Sequence, residues 1–249
     1  SSSGHLLIFR ELFNTNMFND LNFEVMVNFG SFIAILIIFW KDIVRLVTSF
    51  FKYLFADKKD KKKYYEDFKY CMLIVVGSIP VGIIGLIFKD KIEAFASVKE
   101  VGFALLITAL ALFIVKNSKG KKKDNEITYK DAIIIGLFQM CALLPGLSRS
   151  GMVLVGCLLC GLNRESSLKY TFMLYFPVSV ASFGLSSIDV LKSGIASNLL
   201  LSYFLGMVAA GIVTYFTYQW LSKIVQNGKL WKFSIYCVVV ALFIFIYFR

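Results

Sequence analysis

Six apolar segments, 23–40, 70–88, 101–115, 168–188, 198–221 and 233–248, follow one another along the chain, each about as long as a bilayer span requires. No other feature limits the fold as strongly. In hydrocarbon every backbone N–H and C=O must find its partner inside the protein, so segments of this kind are helices packed into a bundle. Composition agrees, with 58% of the 249 residues hydrophobic and 17% charged, against about 45–50% and about 25% in soluble domains. The segments are closely spaced with no soluble block between them, and 1–249 reads as a single integral membrane domain.

The net charge of +11 raises the question of nucleic acid, and the placement of the charges answers it. The clusters at 57–63 and 116–123 are separated by two spans and therefore lie on one face. If that face is cytoplasmic, 41–69 supplies nine Lys/Arg, 116–130 six, 164–169 two and 223–232 three, which is 20 of the 27. The other face, with 14–22 and 94–99, holds Arg10, Lys89, Lys91, Lys99, Lys192 and Arg249, and Arg149 falls within the membrane. This is the positive-inside pattern, with solvated lysine loops beside anionic lipid, and no nucleic-acid partner is expected. Cys71, Cys141, Cys157, Cys160 and Cys237 all lie in apolar segments. Cys157 and Cys160 have CxxC spacing, but without a thioredoxin-like context they read as small residues at helix contacts, and no disulfide is expected.

The segment 132–162 departs from the pattern of spans. Its 31 residues would make one helix about 46 Å long, too long for a hydrocarbon core of about 30 Å, while two spans need about 40 residues. Pro145-Gly146 divides it into halves of about 14 and 15 residues, each about 21–23 Å long as helix. Two half-length helices meeting at a Pro-Gly break describe a re-entrant hairpin, which is tolerated where the irregular backbone is buried in protein or lines a watery cavity. Ser148 is placed to cap a helix that starts at Arg149. The free N–H groups and positive dipole end of such a helix attract anions, phosphate in particular, and the guanidinium fork of Arg149 matches phosphate oxygens in pairs. An arginine at the bilayer centre costs about 2.5–3.5 kcal/mol, which a bound anion would offset. The competing reading pairs Arg149 with a carboxylate on another helix, and no intramembrane Asp or Glu is expected to be available for it.

A second constellation is Ser1-Ser2-Ser3-Gly4-His5, ahead of apolar 6–9. Ser2 and His5 are three apart and share a face in a helical turn. A hydroxyl beside an imidazole is the smallest activated nucleophile, and His5 is the single histidine of the chain. The two halves also echo one another. Ser-x-Ser-Gly occurs at 1–4 and 148–151, "IPVGIIGL" resembles "FPVSVASFGL", and "NFGSFIAILIIFW" resembles "FLGMVAAGIVTYF". Because the order of the last two differs between the halves, head-to-tail duplication is excluded, and an arrangement of inverted repeats with broken helices is expected. The fold class is an all-α polytopic membrane protein of about six transmembrane helices plus re-entrant half-helices.

"GLFQMCALLPGLSRSG", "GLNRESSLKYTFMLYFPV" and "SSSGHL" together resemble the undecaprenyl-diphosphate phosphatase family of the bacitracin-resistance type, and "GSIPVGIIGLIFKDKIE" and "VNFGSFIAILIIFWKDI" look like its intervening spans. The resemblance implies hydrolysis of the terminal phosphate of a C55 polyprenyl diphosphate in a bacterial cell membrane, with the active site open to the outer face and homodimerisation left open. It makes Ser2 the candidate nucleophile or its partner, His5 the acid/base and Arg149 the phosphate clamp. Ser1, Ser3, Gly146, Ser148, Ser150 and Gly151 are then candidate substrate contacts. It also implies dependence on Mg²⁺ or Ca²⁺ through glutamates that the family carries just before its SSxGH motif, so the chain is expected to be N-terminally truncated and to hold no metal ligands of its own. A lipid-phosphate transporter or flippase would use the same anion site without needing Ser2 and His5. A channel would need more polar spans than these.

Overall fold

Each of the six apolar segments is occupied by a helix. The computed structural model describes residues 1–13, 21–94, 97–193 and 199–248; most of the expected outward loop at 14–22, and residues 95 and 96 of the one at 94–99, lie outside these. In chain order the helices are α1 (Ser2–Phe13), α2 (Leu21–Ile38), α3 (Trp40–Phe55), α4 (Lys58–Ala94), α5 (Val98–Ile114), α6 (Tyr129–Cys141), α7 (Arg149–Leu159), α8 (Arg164–Ser193), α9 (Leu200–Gln226) and α10 (Trp231–Tyr247). The protein is an all-α polytopic membrane protein. By length and composition, Lys58–Phe88 and Leu200–Gln226 cross a bilayer alone among the described residues, and a third span is counted if α2 and α3 are one bent unit. Apolar side chains such as Leu201, Leu205, Val213 and Phe216 face outward from α9, as lipid contact requires.

Two stretches expected as loops are helical. The chain bends by 77° between α2 and α3. On α3, Trp40, Val44, Val47 and Phe51 are all exposed. Their spacing of four, three and four puts them on one face, and charged residues interleave with them, as in a helix lying in the membrane interface. The lysine run Lys58–Lys63 opens α4 rather than standing outside it. Lysine is a good helix former, and a charge run does not by itself make a loop.

The stretch 132–162 forms the expected hairpin of α6 and α7. Thr128 caps α6, its Oγ1 accepting from the Asp131 amide at 3.2 Å while Asp131 Oδ2 accepts from the Thr128 amide at 3.0 Å. The helix α7 ends where Gly161 adopts φ +84°. There the Leu162 amide donates to the Cys157 carbonyl and the Gly161 amide to that of Leu158, each at 3.1 Å, the Schellman arrangement that glycine permits. Lys122 holds both ends. Its amide donates to the Gly161 carbonyl at 3.0 Å, its carbonyl accepts from Asn163 at 2.9 Å, and its ammonium lies 3.0 Å from Asp131 Oδ2. One loop residue is thus tied to the start of α6 and the end of α7, so the hairpin enters and leaves on the same lysine-rich face.

The hairpin is wedged into the bundle by α4 against α6 and by α8 and α5 against α7. Leu73, Ile135, Val153, Tyr170 and Leu174 form its core, and the buried Tyr170 hydroxyl donates to the Leu73 carbonyl at 2.7 Å. The segments whose sequences echo each other meet in space, α2 packing on α9 and α4 on α8. All five cysteines are free.

Candidate functional site

The two Ser-x-Ser-Gly motifs build the same local structure twice. Ser1 Oγ accepts from the Gly4 amide at 3.3 Å at the head of α1, and Ser148 Oγ accepts from the Gly151 amide at 3.2 Å at the head of α7. Each is a serine cap on a helix N-terminus, and the expected cap at Ser148 is present. The motifs also touch. A Cβ at Gly4 would lie 3.0 Å from Gly146 Cα and 3.1 Å from Val101 Cγ1, and one at Gly146 would lie 2.8 Å from Val101 Cα. Gly146 also adopts φ +93°, a conformation open to glycine. These two glycines let α1, the hairpin break and α5 meet at backbone distance. From α5, Thr108 Oγ1 accepts from the Ser148 amide at 3.4 Å and donates to the Ala104 carbonyl at 3.0 Å.

Both helix heads border one cavity of about 390 Å³, lined by Ser1, Ser2, Ser3, Ser148, Arg149 and Ser150 with Asn28, Thr171 and Tyr175. Ser1 and Ser148, 147 positions apart in sequence, therefore converge, and of the expected contacts Gly146 and Gly151 do not line this cavity. Two helix dipoles and a guanidinium are aimed at one space, the arrangement that suits a phosphate. Arg149 forms no salt bridge and no hydrogen bond among the described residues.

The expectation that no acidic residue shares the membrane with Arg149 is corrected. Glu24, in the first turn of α2, lines the same cavity. It stands in the first turn of a mostly apolar helix, where a carboxylate complements the dipole, and that position hides it in a mostly apolar sequence run. Among the described residues no group of three or more His, Cys, Asp or Glu is placed to hold a metal.

His5 stands apart from Ser2. Its Nδ1 lies 2.7 Å from the Ser1 carbonyl and its Nε2 2.6 Å from the Tyr236 hydroxyl. A carbonyl only accepts, so Nδ1 carries the proton and Nε2 accepts from Tyr236. Both ring nitrogens are engaged, neither with Ser2, which faces the Arg149 cavity. His5 and Tyr236 line a second cavity that shares Ser1, Ser148 and Ser150 with the first. Tyr236 has no counterpart in the sequence reading, because 231 residues separate it from His5 and nothing in its local sequence marks it.

A family model described as bacitracin resistance protein BacA matches residues 1–243. Undecaprenyl-diphosphatase 2 of Bacillus thuringiensis is 39% identical over 248 residues, covering 99% of this chain and 90% of that protein. Undecaprenyl-diphosphatase of Oceanobacillus iheyensis is 39% identical over 250 residues with the same coverage. Undecaprenyl-diphosphatase 1 of Halalkalibacterium halodurans is 35% identical over 246 residues, covering 98% of this chain and 88% of its own length.

Proposed function

Because the chain belongs to the bacitracin resistance protein BacA family, we propose that it hydrolyses undecaprenyl diphosphate to undecaprenyl phosphate and inorganic phosphate, recycling the lipid carrier of cell-wall synthesis. The observation that carries the reading is the convergence of two serine-capped helix heads and Arg149, which has no protein partner among the described residues, on one cavity. The alternative, a lipid-phosphate transporter, finds no support in the relatives.

Cleavage of a diphosphate demands positioning and neutralisation of charge on the equatorial oxygens of the transferred phosphoryl group. Arg149 and the amides at the heads of α1 and α7 supply both from fixed positions. The bond that breaks joins the terminal phosphorus to the bridging oxygen, and undecaprenyl phosphate leaves with the electron pair. The bond that forms joins that phosphorus to the Ser2 hydroxyl oxygen or to a water beside it. The nucleophile's proton passes to His5 Nε2, and because Tyr236 occupies that nitrogen, the path runs through its hydroxyl, which gives up one proton and takes another. If Ser2 attacks, water then hydrolyses the phosphoserine.

Glu24 is the carboxylate at this cavity, beside Asn28 and the serine hydroxyls. These are hard oxygen donors, and they are the residues of this cavity that would hold Mg²⁺ or Ca²⁺. Such an ion would add charge neutralisation to that of Arg149. We further propose a bacterial plasma-membrane protein with α2, α4, α5, α8, α9 and α10 as its six spans, the lysine-rich face cytoplasmic and the cavity open outward; the charge asymmetry supports this.

The test is release of inorganic phosphate from undecaprenyl diphosphate by the purified protein in detergent. Catalytic release that stops with chelator and returns with Mg²⁺ or Ca²⁺ is the expected result. Movement of a labelled lipid phosphate across vesicles without any hydrolysis would favour the transporter.

A further inference from the structure

The second cavity, of about 330 Å³, starts on the far side of the serines that border the first. At that end it is polar, with His5 and Tyr236. The rest of its lining is mostly apolar, including Leu105, Leu112, Leu154, Leu221 and Phe233. Its outer sides are α9, which contributes Thr217, Trp220 and Leu221, and α10, which contributes Phe233, Tyr236 and Cys237. These helices are consecutive, and the short turn between them is fixed by Gly228 at φ +69°. Yet they pack on different partners, α9 on α2 and α10 on α5, and make little contact with each other. The cleft between them is closed near the turn by Trp220 set edge-on to Phe233, ring centroids 5.7 Å apart. Both helices carry exposed apolar side chains, Phe216 and Val239 among them.

We infer that the apolar cavity between α9 and α10 seats the polyisoprenoid chain of the diphosphate substrate, its first units inside and the rest passing between the two helices into lipid. The inference rests on the proposed phosphatase reading. A molecule with a diphosphate at one end and a long apolar chain at the other matches the pair of cavities in order, since Ser1, Ser148 and Ser150 stand at the junction. Lipid tails are as apolar as leucine, so moving the chain from bilayer to cavity brings no hydrophobic gain. What the cavity contributes is orientation. A chain held between α9 and α10 fixes the direction from which the diphosphate meets Arg149, and positioning of this kind acts on rate more than on affinity. It also separates prenyl diphosphates from soluble diphosphates, which have no chain to place.

The inference is tested with prenyl diphosphates of C5, C15 and C55 chains and with the full chain carrying Thr217→Trp, which projects an indole into the cavity from α9. For the wild type, kcat/KM should rise with chain length. In Thr217→Trp the loss should be graded, about tenfold or more with C55 and C15 and smallest with C5. A loss equal at all lengths, or none at any, overturns the assignment. A farnesyl diphosphate with a diazirine in its chain gives a readout independent of turnover. Its label should fall on α9 and α10 between 213 and 240, and label confined to other helices overturns the assignment too. Absence of phosphate release at every chain length, with label still on α9 and α10, would count against the phosphatase reading and not against the chain site.

Discussion

At the scale of residues, the Ser1 carbonyl decides the chemistry of His5. By accepting from Nδ1 it fixes the tautomer and leaves Nε2 as the basic atom, and Tyr236 holds that atom. His5→Ala should lower kcat by about 10²–10⁴, the usual range for a lost acid/base group. Tyr236→Phe should lower kcat with KM nearly unchanged, and the double variant should be no slower than His5→Ala, since groups acting as a unit are not additive. Additive losses would separate Tyr236 from the proton path. Ser2→Ala should remove most turnover, and a rapid quench with terminal-phosphate label would show whether the label rests on Ser2. Much of this site was legible in the sequence. Ser148, Arg149 and Gly146 announced a cap, a charge and a break within an apolar run. Tyr236 was not legible because its partner comes from the other end of the chain, and Glu24 was hidden at the head of an apolar helix.

At the scale of elements, the hairpin depends on the Thr128–Asp131–Lys122 cluster at its base. Burial alone would raise the Asp131 carboxyl, but hydrogen bonds from Thr128 and Lys122 outweigh it and hold it below the ordinary carboxylate range. A depressed folded value means that the carboxylate stabilises the fold above the unfolded pKa of about 4, and that this is lost as pH falls through the folded value. Asp131→Asn should therefore cost about 1 kcal/mol at pH 7, comparable to a lost helix cap. Melting in detergent should show the gap from wild type closing below about pH 4; a gap independent of pH would show that the charge is irrelevant. The hairpin was readable because its length fits neither one span nor two. The helix α3 was not, since its period of exposed apolar residues at 40, 44, 47 and 51 is interleaved with charges that read as a loop. A local pattern there does not say which side of the helix the bundle covers and which it leaves exposed.

At the scale of the whole molecule, the placement of charge orients the fold. With Lys122 tying both hairpin ends to one face, Asp60→Cys and Lys121→Cys in a background without native cysteines should resist an impermeant reagent outside intact cells. Labelling of either from outside would reverse the orientation. The class of the fold followed from apolar length alone, whereas the pairing of α2 with α9 and of α5 with α10, and the cleft this leaves between α9 and α10, are products of packing that no local pattern encodes. The central claim is that Arg149 and the two helix heads form a preorganised clamp for the terminal phosphate. Phosphate release from undecaprenyl diphosphate should be compared in the wild type, Arg149→Lys and Arg164→Lys. Arg164 reaches the Gln226 carbonyl at 3.4 Å, away from the cavity. Arg149→Lys keeps the charge and loses the fork, and the account predicts a fall in kcat of about 10²–10³, as for other lost transition-state donors, with Arg164→Lys close to wild type. Equal losses at the two positions, or none at Arg149, would contradict it.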